Sequence, residues 1–132
     1  MAIILDGKKL RDKIFCDLKA KLDKMPKKPT LAVILVGNDP ASQIYVRNKK
    51  KTAENLGINS VVINYPSGIS QNELLTKIEE LNNDNSVNAI LVQLPLPEHI
   101  DKFKIIDAIK PEKDVDGLTP YNMGKLFAGE EP

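Results

Sequence analysis

Apolar residues in this chain alternate between short unbroken runs and longer stretches with helical spacing. Leu31-Ala-Val-Ile-Leu-Val36 is continuous, rich in β-branched residues and closed by Gly37, which predicts a strand buried on both faces. Ser60-Val-Val-Ile-Asn64 and Asn88-Ala-Ile-Leu-Val-Gln93 read as two further buried strands. Between them the period changes. Leu10, Ile14, Leu18 and Leu22 recur every fourth residue behind Asp6, a plausible N-cap, predicting a helix that ends near Met25-Pro26. Ile3-Ile4-Leu5 ahead of it reads as a short strand or apolar lead-in.

The helix boundaries are written in capping chemistry. Asp39 and Pro40 open a helix that Gly57 closes after Leu56, with Pro filling the first turn where no backbone N–H is needed. Ser70-x-x-Glu73 is a capping box in front of Leu74, Leu75, Ile78 and Leu81. A last helix is expected over about 101–110, with Phe103, Ile106 and Ile109 inward, and periodicity is lost from Phe127 to Pro132. Strands alternating with helices at such short connections predict an α/β fold, three layers α/β/α around a small, mainly parallel sheet. Ligands of such sheets bind at the carboxyl ends of the strands, which here means Gly37 and the residues after it, the segment after Asn64, and Gln93 with Pro95.

Rotating the 40–56 helix by roughly 100° per residue puts Ala41, Ile44, Tyr45, Thr52 and Leu56 on one arc and Arg47, Lys50, Lys51 and Glu54 opposite. Lys49 stands one turn beyond Tyr45 at the edge of the apolar arc. Partial desolvation favours the neutral amine of a lysine, which can accept and return a proton; on pattern alone, snorkelling to water is the commoner outcome. On pattern alone Tyr45, likewise, is expected as a core aromatic with a satisfied hydroxyl rather than as a substrate platform. Gln93 interrupts an apolar strand at its end, and a buried amide needs partners, so it ties down a loop or meets the ligand that Lys49 reaches. Lys113-Asp-Val-Asp116-Gly-Leu118 puts two carboxylates into a turn, where Gly117 supplies a positive φ; a solvated turn explains this as well as a site does.

Charge and composition narrow the classes. Lys and Arg total 19 against 18 acids, for a net charge of +1, so no basic excess exists for a nucleic-acid partner. One Cys and one His exclude a disulfide framework and a Cys/His zinc cluster within the chain, and the acids lack EF-hand spacing. Cys16 is expected as a small, buried or half-buried hydrophobe, and His99 as a surface residue. The longest apolar run falls far short of the roughly 18 residues that suggest a membrane span, and a cytoplasmic setting is expected. Tyr45-x-x-x-Lys49 invites comparison with short-chain dehydrogenases, but no Gly-x-Gly-x-x-Gly precedes it; nor is there a Gly-x-Ser-x-Gly nucleophile elbow.

Taken together, Val36-Gly-Asn-Asp-Pro-Ala-Ser42-x-x-Tyr45-x-x-x-Lys49, Gly57-Ile58, Val92-Gln-Leu-Pro-Leu-Pro97 and Pro111-x-Lys-Asp-Val-Asp116-Gly-Leu closely resemble the bifunctional methylenetetrahydrofolate dehydrogenase/methenyltetrahydrofolate cyclohydrolases of the FolD type. The resemblance implies a tetrahydrofolate one-carbon enzyme. In that family 5,10-methylenetetrahydrofolate is oxidised by NADP to the methenyl form, which water opens to 10-formyltetrahydrofolate. It implies Lys49 as the proton-transferring lysine, Tyr45 as the aromatic that packs on the folate rings, and Gln93 as the amide that orients Lys49. Asp116 would accept from the pterin ring N–H and exocyclic amine, and Leu94 and Pro95 would line the substrate site. It also implies residues 1–125 as the folate-binding catalytic domain and 126–132 as the start of a hinge. Beyond them the family carries a Rossmann-like domain that holds NADP, and its full-length members are commonly homodimers. Two other readings compete: a non-catalytic small-molecule-binding α/β module, in which Lys49 and Asp116 only orient a ligand, and an interaction domain with no site near Tyr45.

Overall fold

The computed structural model describes residues 5–131. Three parallel strands, β1 (Thr30–Val36), β2 (Asn59–Tyr65) and β3 (Ala89–Val92), form a sheet in the order β2-β1-β3. Val33 is in register with Val62 on one side and Leu91 on the other. Since β1 is central, its alternate residues feed two separate cores. Ala32, Ile34 and Val36 face α3 (Gln71–Asn83) and α4 (Lys102–Asp107), packing with Leu74, Ile78, Leu81, Ile105 and Ile109. Val33 and Leu35 face the opposite way, toward Val46 of α2 (Pro40–Leu56). The three-layer α/β expectation holds. Each fully buried aliphatic side chain contributes about 1.5–3 kcal/mol, and Ile34, Leu74, Ile78, Ile90 and Ile105 are all in that class.

The capping signals act where the sequence put them. Asp39 accepts from the Ser42 backbone N–H at 2.7 Å, and Gly57 ends α2 in the left-handed region at φ 88°. Ser70 and Glu73 complete their reciprocal box at the start of α3. These contacts form within four residues, so local sequence suffices to specify them.

Packing overrides the sequence reading elsewhere. β2 is not buried on both faces: it is one of the sheet's two edge strands, most of its residues are partly exposed, and Val61 is half exposed. The buried arc of α2 is Ser42, Val46, Ala53 and Leu56; Ala41, Ile44 and Tyr45 of the predicted arc lie outside, because the helix is seated on the sheet through Val46. α1 (Gly7–Asp23) rests on α2, with Leu22 buried and Leu10, Ile14 and Cys16 exposed, so Cys16 is not the buried hydrophobe expected. The predicted 101–110 helix is only 102–107, and it turns Ile105 and Ile109 inward, leaving Phe103 71% exposed and Ile106 half-buried. Its phase is set by Asp101, whose carboxylate accepts from Phe103 N and whose own N–H is held by Gln71.

The segment after Leu118, for which no element was predicted, forms a helix that runs past Phe127, where periodicity is lost. Thr119 caps α5 (Pro120–Ala128), Pro120 fills its first position and Gly129 closes it at φ 80°. The expected 125/126 boundary falls inside this helix. Of the apolar lead-in Ile3-Ile4-Leu5, the first two residues lie outside those described; Leu5 is exposed and in no strand.

Candidate active site

Gln93 follows the last residue of β3 and still takes part in the ladder, its backbone N–H donating to Ile34 O at 2.9 Å. That bond fixes where the side chain leaves the sheet, at the carboxyl edge. The amide is half-buried and tied at both ends: Nε2 donates to Leu94 O at 2.8 Å, and Oε1 accepts from Lys49 Nζ at 3.2 Å. The two open readings of Gln93 are therefore not exclusive, since one end holds the loop and the other reaches the lysine.

Lys49 arrives from α2. Its register follows from Val46, three residues earlier on the face against the sheet, so the stem is half-buried and the ammonium ends beside Gln93. Among the described residues its partner is a neutral amide rather than a carboxylate, which directs the amine without neutralising it. Tyr45, one turn earlier, is 60% exposed and so is not a core aromatic. An exposed ring beside a half-buried amine can support a flat ligand. Leu94 and Pro95 continue from Gln93 through a cis peptide bond and line a groove of about 560 Å³ with Leu96, Pro97 and Ile100.

The two acids of the 113–118 segment play different parts. Asp114 pairs in parallel fashion with Ile90 of β3, so the chain after it runs toward the same sheet edge as Gln93. Its carboxylate is occupied: Oδ2 accepts from Thr119 N at 2.8 Å and Asn122 Nδ2 at 3.0 Å, and Oδ1 from Leu118 N at 3.3 Å. Burial pushes this carboxyl up, and the bonds from Thr119, Asn122 and Leu118 outweigh it, leaving it below the usual range. Asp116 is exposed, accepts no hydrogen bond from the described residues, and precedes Gly117 at φ 65°. It lines a groove of about 640 Å³ with Pro111, Val115, Tyr121 and Lys125. Lys49, Tyr45 and Gln93 are not walls of that groove. The structure thus joins Lys49 with Gln93 and sets Tyr45 and Leu94 beside them, while Asp116 stands at a neighbouring hollow. The buried partners Thr119 and Asn122 were not singled out in the sequence, although Thr-Pro at a helix start is a readable cap and a buried Asn demands partners.

A dinucleotide cofactor needs a helix N-terminus open to its phosphates. Three helices that begin at this sheet edge are capped by their own side chains. Asp39 accepts from Ser42 N in the first turn of α2, Ser70 Oγ from Glu73 N in that of α3, and Asp101 from Phe103 N and Lys104 N in that of α4, and each start carries a carboxylate that disfavours a phosphate. Hydrogen bonds from Ser42 hold Asp39 below the usual carboxylate range, and those from Ser70 do the same for Glu73, so both stay anionic at neutral pH. The described residues at these three starts therefore do not favour a dinucleotide's phosphates. Nor do the described residues include a group of three or more His, Cys, Asp or Glu able to hold a metal, and no helix among them is long and apolar enough to cross a membrane. His99 is exposed, as expected, and its Nε2 donates to Ile69 O at 2.9 Å.

An α/β domain with a lysine held by an amide at the carboxyl edge of a parallel sheet has the layout of a small-molecule site and names no reaction. The comparison with known proteins goes further. A sequence model of the tetrahydrofolate dehydrogenase/cyclohydrolase catalytic domain matches residues 5–116, and the chain belongs to that family. It is 53% identical over 133 residues to the bifunctional protein FolD of Pediococcus pentosaceus, covering 98% of this chain and 47% of that one. The crystal structure of the bifunctional FolD methylenetetrahydrofolate dehydrogenase/cyclohydrolase from Campylobacter jejuni superposes with a TM-score of 0.94 at 51% identity, over 98% of this chain and 47% of that one. A Trypanosoma brucei FolD solved with NADP cofactor and an inhibitor gives 0.88 at 35% identity, over 95% and 44%. The chain spans about half the length of the curated relatives it matches.

Proposed function

We propose that this chain is the folate-binding, proton-transferring half of a methylenetetrahydrofolate dehydrogenase/methenyltetrahydrofolate cyclohydrolase. The full protein would carry out the NADP-dependent oxidation of 5,10-methylenetetrahydrofolate to the methenyl form and hydrolysis of that to 10-formyltetrahydrofolate, supplying one-carbon units to purine, methionine and histidine synthesis. NADP is assigned to a Rossmann-like domain outside the described residues; the Trypanosoma brucei relative was solved with NADP, and the carboxylates at the helix starts here support placing the cofactor elsewhere. We assign the full protein as a cytoplasmic homodimer that uses neither nucleic acid nor membrane.

The contact between Lys49 Nζ and Gln93 Oε1 carries this reading. In the hydrolytic step a water oxygen forms a bond to the methenyl carbon and gives up a proton to the Lys49 amine. The hydroxyl left on that carbon then loses its remaining proton to solvent as the C=O forms, the carbon's bond to N5 breaks with its electron pair going to N5, N5 takes the proton held by Lys49, and the formyl group remains on N10. Gln93 keeps the amine directed at that carbon through an oriented amide dipole. Tyr45 packs on the folate rings, Leu94 and Pro95 flank them, and Asp116 accepts from the pterin ring N–H and its amino group.

The test is Lys49→Met in the full-length gene product, assayed for hydrolysis of 5,10-methenyltetrahydrofolate and, separately, for folate binding by calorimetry. Binding retained with hydrolysis lost supports the enzyme. Binding abolished supports the non-catalytic ligand module, and hydrolysis at the normal rate overturns the role of Lys49.

A further inference from the structure

The turn that carries Asp116 is clamped from both sides by one buried amide. Asn122 lies in the first turns of α5, is 3% exposed, and directs both hydrogens of Nδ2 outside its own helix. One goes to Pro111 O at 2.9 Å, before the turn, and the other to Asp114 Oδ2 at 3.0 Å. The same carboxylate oxygen takes Thr119 N, and the other takes Leu118 N, both after the turn. Val115, Asp116 and Gly117 are held between these two anchorages. The clamp is referenced to the body of the domain through Lys113, whose Nζ donates to Leu81 O and Asp84 O at 2.8 Å each, at the end of α3.

A surface turn has no need of this. Burying an amide and part of a carboxylate is unfavourable unless they are hydrogen-bonded, and an exposed turn avoids that cost by facing water. What the arrangement achieves is a fixed position for Asp116, the carboxylate of residues 113–118 that accepts no hydrogen bond from the described residues. We infer that Asn122 and Asp114 are positioning residues for substrate binding: they hold the Asp116 carboxylate in place before the folate arrives, so that ordering the loop does not weaken binding. This rests on the reading of Asp116 as the acceptor for the pterin.

The experiment is a double-mutant cycle in the full-length gene product, with steady-state kinetics on 5,10-methenyltetrahydrofolate and a thermal melt of each variant. Asn122→Ala is expected to raise KM about tenfold with kcat changed less than about twofold, the pattern of lost uniform binding. In an Asp116→Ala background the same substitution is expected to change KM by less than about twofold, because the group it positions is gone. Asp114→Asn, which keeps the shape and one accepting oxygen, is expected to show the same dependence on Asp116 and carries the test should Asn122→Ala fail to fold. A folded Asn122→Ala or Asp114→Asn with normal KM, or an equal loss in both backgrounds, overturns the clamp while leaving Asp116 as the anchor. If Asp116→Ala itself leaves KM unchanged, the anchor reading fails and the positioning role falls with it.

Discussion

Lys49 Nζ and Gln93 Oε1 lie 3.2 Å apart across 44 positions of sequence, one on a helix packed on the sheet and the other at the end of a strand. The helix delivers the amine, and the ladder bond from Gln93 N to Ile34 O delivers the amide. Neither side chain would be fixed without the sheet between them. Replacing Lys49 with Met should therefore lower hydrolysis of the methenyl compound by about 10²-fold or more, the usual scale of general acid–base catalysis, with folate binding preserved.

Gln93 should matter for rate beyond its part in the loop. In Gln93→Leu the amine loses the acceptor that directs it, and hydrolysis should fall by about tenfold or more, a loss of about 1.4 kcal/mol or more in transition-state stabilisation. Gln93→Glu keeps the geometry but sets a carboxylate against the amine, which favours the ammonium, so its rate should recover only as pH rises. A pH–rate profile of the two variants checks this; a Gln93→Glu profile identical to wild type would count against the pairing.

The acid limb of stability should carry a signature of Asp114. Its carboxyl lies below its ordinary value in the fold, so between the two values the unfolded chain binds more protons than the folded one. Its contribution is thus fully present above the unfolded value of about 4 and is lost as pH falls through the lower folded value. Asp114→Asn should be less stable than wild type at pH 7 and should lose less on going to about pH 3. Urea titrations of both proteins at the two pH values measure that difference.

Titrating the described chain with NADP should give no saturable binding, because carboxylates already occupy the helix starts at the site edge. A folate such as 5-formyltetrahydrofolate should bind. Measurable NADP affinity of these 132 residues would overturn the assignment of the cofactor to another domain.

The phase of α4 predicts a contrast between two apolar neighbours. Ile105 is fully buried, so Ile105→Ala should cost about 2–5 kcal/mol. Phe103 is 71% exposed and set over Lys102 rather than the core, so Phe103→Ala should stay within about 0.5 kcal/mol. Denaturant midpoints of the two variants decide it.

What the sequence determined on its own was local: the strands of unbroken apolar residues, Asp39 and Gly57 at the ends of α2, the Ser70 and Glu73 box, and the motif set that marks the family. Caps and strand runs are legible because their hydrogen bonds and periods close within a few residues. The tertiary structure decided which arc of each helix is buried, since that depends on where the sheet lies. By putting β1 in the centre it made β2 a half-exposed edge, turned Val46 rather than Tyr45 inward, and faced Ile105 rather than Phe103 to the core. It also separated two carboxylates that are equivalent in the bare sequence, binding Asp114 to Thr119 and Asn122 and leaving Asp116 free. Partners that lie far apart in the chain, such as Lys49 and Gln93, are chosen by packing, and packing is a property of the whole fold rather than of any segment.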